Sequence, residues 1–185
     1  MNLIDRIKGI LMDPRNEWPK IAAEPATVQS LYTGWIMILA AIGPLALLLA
    51  MHSIQIAIAQ YVLALIITFV LALIVDALAP SFGGTKDFIA SLKLTAYSYT
   101  VAWLAGIFAL LGVLGNVLAL VASIYAFYTF YLGAPILNKA SIEKAVPFTL
   151  VIVLCGIVLG VLAGLVFSGM MMTTRVTPGM GMLMR

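Results

Sequence analysis

The stretch Ile56–Leu78 reads IAIAQYVLALIITFVLALIVDAL, with Asp76 its one formal charge. A helix crossing hydrocarbon needs roughly 20 mostly apolar residues. Lipid offers backbone amides no partner, and the run is far longer than a barrel strand, so only a helix can occupy it. Four further runs read the same way: Leu31–Met51, Leu94–Leu111, Val117–Leu137 and Phe148–Met170. The third is the shortest and least apolar. The pattern predicts an all-α membrane protein, a five-transmembrane-helix bundle over residues 31–170. Composition agrees, since 64% of the 185 residues are apolar and only 9% are charged, with a mean hydropathy of +1.16. A soluble domain carries about 25% charged residues and must cover itself with polar groups. A soluble enzyme, a disordered linker and a nucleic-acid-binding domain are thereby excluded. The lipid bilayer is the first partner, and nucleic acid is none.

Residues 1–30 precede the first run. A secretory signal would place a short apolar core much nearer the start, followed by a small-residue cleavage site, and neither is seen before the run that begins near Leu31, so the segment is expected to remain. Leu3, Ile4, Ile7, Ile10 and Leu11 fall at helical spacing, with Asp5, Arg6 and Lys8 on the other side. This amphipathic interfacial helix either lies in the membrane surface or packs on the bundle's own end. Pro14 should end it, and Trp18 suits the headgroup zone. The bases are one-sided. Arg6, Lys8, Arg15 and Lys20 precede the first run, Lys86 and Lys93 occupy the second connection, and Lys139 and Lys144 the fourth. The opposite side has only Arg175 and Arg185. Positive connections stay inside, which predicts a cytoplasmic N-terminus and cytoplasmic loops bearing those four lysines. The C-terminus would be periplasmic or extracellular.

Asp76 stands out because charges within spans usually face an interior, a cavity or a partner. Lys86, Lys93 or a tyrosine hydroxyl could pair with it, pinning a loop or binding a proton or cation. Tyr97 and Tyr99 open the third run, and Tyr125, Tyr128 and Tyr131 form a stripe on the fourth at steps of three. With Asp76 they make a candidate polar intramembrane cluster, serving either packing and the interfacial belt or a ligand. Gly156, Gly160 and Gly164 form GxxxGxxxG, a helix-packing seam toward this chain's own helices or a second copy. Gly43-Pro44 should kink the first span. Residues 171–185 form a Met-rich outer tail, expected to be flexible, whose Met180, Met182 and Met184 are candidate Cu(I) ligands. His52 is the only histidine and Cys155 lies mid-run without a base nearby, so no nucleophile–base pair or zinc site can be assembled. The sequence calls for no cofactor and no catalytic residue, and no internal repeat marks an inverted-repeat transporter.

Three blocks resemble the Yip1 family of integral membrane proteins: DPRNEWPKIAAEP (Asp13–Pro25), FGGTKDF with LKLTAYSYT (Phe82–Phe88 and Leu92–Thr100), and YAFYTFYLGAPILNKASIEKA (Tyr125–Ala145). Val101-Ala102 depart from the pattern, which often has a proline there. The resemblance implies a five-helix fold with a cytoplasmic N-terminus. Eukaryotic relatives are linked to Rab GTPases and early secretory traffic and carry a longer hydrophilic N-terminal region, and Rab binding is not carried over to this chain. The likeness is to the compact bacterial branch, implying the inner membrane. The expected function is non-enzymatic: association with a membrane protein partner, a homo-oligomer or lipids. The alternatives are a small-solute or ion transporter using Asp76 and the tyrosines, and a Cu(I)-binding tail.

Overall fold

The computed structural model describes residues 2–176, and the elements it contains there are all helical. Helices α1 (Leu3–Met12) and α2 (Pro14–Ala23) make a hairpin about Asp13. Pro14 both ends the first and opens the second, because a proline at the first helical position forgoes no intrahelical bond. The first span, Val28–Met51, is assembled from α3 (Val28–Leu31), a π-helical turn at Tyr32–Ile36, α4 (Met37–Ala40) and α5 (Ile42–Met51). Thr27 and Ser30 cap its start reciprocally, each side chain accepting the other's amide at 3.1 and 2.9 Å. The α4–α5 break at Ala41 lies three residues before Pro44, as the missing proline amide requires.

The remaining spans are α6 (Ile54–Leu78) with a 3-10 turn at Ala79–Phe82, α7 (Phe88–Ala105) with a 3-10 segment at Gly106–Leu111, α8 (Val113–Leu137), and α9 (Ile142–Val176). Among the described residues, five helices are thus long and apolar enough to cross a membrane. Their edges correct the sequence reading. The third span starts at Phe88, six residues early, because the Asp87 carboxylate accepts the Ala90 amide at 3.0 Å and caps the helix. Lys93 therefore lies inside α7 and is buried, not in the loop expected to hold it. Residues 171–176, expected in a flexible tail, continue α9. Met180, Met182 and Met184 lie outside the described residues.

The third span is the axis of the bundle. Half of its apolar window is buried, against 11% for the fifth. Its poor hydropathy follows from that position, since Ser91, Thr95, Ser98 and Thr100 face protein and need no affinity for lipid. The most apolar span is the least buried. Around α7, the hairpin buries Ile10, Trp18 and Ile21 against Leu94, Phe130 and Ala134 in one continuous core. Two expectations fail there. Trp18 is 1% exposed and lies in this core, not among headgroups. Arg6 points inward with Ile10, because residues 3, 6, 7 and 10 share one helical face. Of the two placements open to α1, packing on the bundle is the one observed.

Glycine contacts also differ from expectation. A Cβ on Gly106 would lie 2.8 Å from the Cα of Gly43, so α5 and the end of the third span meet backbone to backbone. A Cβ on Gly160 or Gly164 would meet nothing within 4 Å, and one on Gly156 would meet only the Tyr99 hydroxyl, at 3.4 Å. The GxxxGxxxG face is not a helix–helix seam within this chain.

Candidate functional site

Charge concentrates at one end of the bundle. Arg6 reaches from α1 to Glu17 on α2, with Nη1 2.7 Å from Oε1 and both side chains buried. Its Nη2 donates to the Glu24 carboxylate. Lys20 completes the group from the exposed side, 2.9 Å from Glu17. Gly9 makes room for this crossing, since any side chain there would overlap the Glu17 carboxylate. Lys93, from the centre of the bundle, donates to the Ile21 carbonyl at 2.9 Å and to the Glu24 carbonyl, capping the end of α2. Buried charge is tolerated only when paired and hydrogen-bonded. The arrangement therefore latches the hairpin to the third span.

Beside the latch lies a cavity of about 210 Å³ whose walls include Arg6, Glu24, Lys93, Tyr97, Trp35 and Gly34. The Arg6 guanidinium stands 6.0 Å from the Tyr97 ring centre, and Tyr97 lies 4.7 Å from Trp35. The π-helical turn carries Trp35 and Gly34 into this wall, and the Trp35 indole donates to Thr100 Oγ1 at 3.0 Å. Such π turns are rare in helices and are frequent at functional positions.

The sequence-derived residues divide around this site. Tyr97 belongs to it. Asp76 is buried at the same end of the bundle, 3.5 Å from Ser91 Oγ, which in turn accepts from Asn138 Nδ2 at 2.7 Å. Ser91 reaches it only at that limit of hydrogen-bond distance, because the one hydroxyl proton has a closer acceptor in the Asp87 carbonyl at 2.9 Å, and neither Lys86 nor Lys93 forms an ion pair with Asp76. Tyr125 donates to the Leu11 carbonyl at 2.8 Å and so ties α8 to the hairpin. Tyr128 packs on Tyr125 and is exposed, and Tyr131 is half-buried. Tyr99 lies apart, separating an apolar cavity of about 170 Å³ that includes Ser98 from a groove along Gly156, Gly160 and Gly164. Lys86 and Lys139 are exposed in the connections, and Lys144, expected in the fourth, is exposed in the first turn of α9. Among the described residues, no cluster of His, Cys, Asp or Glu could hold a metal. Sequence reasoning missed Arg6, Glu17, Glu24 and Trp35 as site residues. The available signal was Arg6 at i+3 from Leu3 and i−4 from Ile10, a base inside an apolar face.

The two connections at this end are joined as well. The Thr85 amide donates to the Asn138 carbonyl at 2.8 Å, and the Ser141 amide donates to the Phe82 carbonyl at 3.2 Å. Gly84 cannot be replaced without overlap, as its Cβ would stand 2.5 Å from that same Asn138 oxygen. Phe82 stacks on Phe148 below them at 5.0 Å.

A family model described as Yip1 domain matches residues 8–174. The chain belongs to the Yip1 family. Comparisons with curated proteins and with solved structures find no match. The match begins within α1 and takes in all of α2. The three sequence blocks that resemble Yip1 proteins, far apart in the chain, meet at this end. Trp18 of the first lies on Gly133 of the last, where a Cβ would come within 2.7 Å of the indole. Gly84 of the second abuts Asn138 of the last. The Yip1 pattern is, in this chain, the wiring of one polar end.

Proposed function

We propose that this Yip1 protein works without catalysis, by associating with lipids and with other membrane proteins, and that its polar end is the contact surface. The observation that carries this reading is the engagement of Arg6, Glu17 and Lys93 in holding the hairpin. A base poised for reaction must be within reach of a proton it can take, whereas these three are occupied by one another and by backbone carbonyls. What results is a stiff, shaped surface with exposed lysines beside it. We place it on the cytoplasmic side of a plasma membrane, in keeping with the distribution of bases and with the compact, bacterial type of the family.

Transport through Asp76 has weaker support. The carboxylate is buried, and it lines neither the cavity beside Arg6 nor the one beside Ser98. The test is photocrosslinking in intact membranes from a reactive residue at Lys139 on the polar end, and at Gly160 on the open face of α9. Discrete adducts with a protein neighbour, a second copy or a lipid are expected from Lys139. A smear of abundant proteins from both positions would refute the reading, and solute flux abolished by Asp76→Asn would replace it with transport.

A further inference from the structure

The cavity beside the latch is lined by the buried cations Arg6 and Lys93 and by Glu24; with Glu17 bonded to Arg6 behind the wall these charges balance while Glu24 faces inward, and positive charge is in excess once Glu24 turns out. Neither cation is exhausted. An ammonium has three donors and a guanidinium five. Lys93 gives two to carbonyls, and Arg6 is bonded through Nη1 and Nη2 to Glu17 and Glu24. The Tyr97 side chain adds a hydroxyl to the same wall. Glu24, the one acid lining the cavity, is half exposed and can turn outward when another anion takes its place. Donors of this kind recognise tetrahedral oxyanions, for which charge-assisted hydrogen bonds are the strong ones.

We infer that this cavity binds a phosphate group, and that the phosphate belongs to a membrane lipid. The inference rests on the contact-surface reading above and names its ligand. Depth argues for the lipid over free phosphate. Ser30 and Gly34, at the mouth, fall in the first two turns of the first span, where headgroups meet hydrocarbon. Immediately beyond the mouth on that span, Met37 and Ile38 are exposed apolar side chains. A polar recess at interface depth opening onto an apolar strip fits an amphiphile.

The full-length protein, purified in mild detergent and freed of lipid, is titrated with dioleoyl phosphatidic acid and read by native mass spectrometry. Dioleoylglycerol and inorganic phosphate are the control probes. Saturable binding of the phosphatidic acid is expected, about tenfold tighter than the phosphate-free lipid, with no displacement by inorganic phosphate. Gly34→Trp fills the mouth from a position with nothing within 4 Å, and should weaken binding about tenfold while the protein melts as before. Tyr97→Phe removes one hydroxyl and should weaken it about two- to threefold, deciding the matter if Gly34→Trp does not fold. Equal binding of the two lipids, or binding unchanged in the folded variants, overturns the site. Displacement by inorganic phosphate overturns the lipid source and leaves a soluble phosphate ligand. Crosslinks from Lys139 would survive either failure, so the broader reading stands or falls separately.

Discussion

Arg6 and Glu17 show how a short segment can carry the stability of a membrane bundle's end. Each is buried and each satisfies the other, so removing one leaves an uncompensated charge in a low-dielectric site. Arg6→Ala should cost about 3–5 kcal/mol, read as a large fall in thermal midpoint in detergent. Lys20→Ala, which deletes the exposed member of the same group, should cost less than about 1 kcal/mol. Equal losses from the two would mean that the latch is a surface ion pair. Ser98 is the opposite case: its hydroxyl is buried and has no partner. Ser98→Ala should leave the midpoint unchanged or raise it, since burying an unpaired hydroxyl is unfavourable. None of this pairing was legible in the sequence. The periodicity of α1 put apolar residues on a face, but the base among them became meaningful only once Glu17 was known to face it.

At the scale of elements, the sequence announced the spans and misjudged their contacts. Long apolar runs fix helices because lipid allows little else, so the count of five needed no tertiary information. Glycine spacing, by contrast, states only that a backbone can be approached. The glycines that are approached most closely are Gly9 by Glu17, Gly84 by Asn138, Gly106 by Gly43, Gly115 by Phe108 and Gly133 by Trp18, each outside the GxxxGxxxG run. Gly133→Ala should therefore destabilise by about 1–3 kcal/mol through overpacking against Trp18 and Leu94. Shrinking the indole in the double variant with Trp18→Phe should recover part of that loss relative to Trp18→Phe alone, a coupling that a double-mutant cycle measures. Gly160→Ala should be neutral or stabilising by up to about 1 kcal/mol, because nothing crowds it and alanine is the better helix former. A destabilised Gly160→Ala would mean that another helix occupies that groove.

For the whole molecule, hydropathy and burial run opposite to their relation in water. The least apolar span is the best buried and the most apolar is the least, as expected where lipid is the solvent and polar side chains must turn inward. This inversion is why the third run looked doubtful as a sequence and proves central as a structure. It also fixes one end as polar. The Ala79–Asp87 and Asn138–Ser141 connections are hydrogen-bonded to each other and the hairpin is hydrogen-bonded to α7 and α8, while His52 and Gly112 turn the chain at the other end with positive φ. Single cysteines in a Cys155→Ala background test which end faces which compartment. Lys86→Cys and Lys139→Cys, both at exposed sites on the polar end, should react with an impermeant maleimide only after the membrane is opened. His52→Cys and Asn116→Cys should react in intact cells. The opposite pattern would invert the orientation yet keep the fold, because the hydrogen bonds join the two lysine connections whichever way they face. Labelling that split Lys86 from Lys139 is the result no five-span arrangement tolerates, since the Thr85 amide and the Asn138 carbonyl could not then meet across a bilayer.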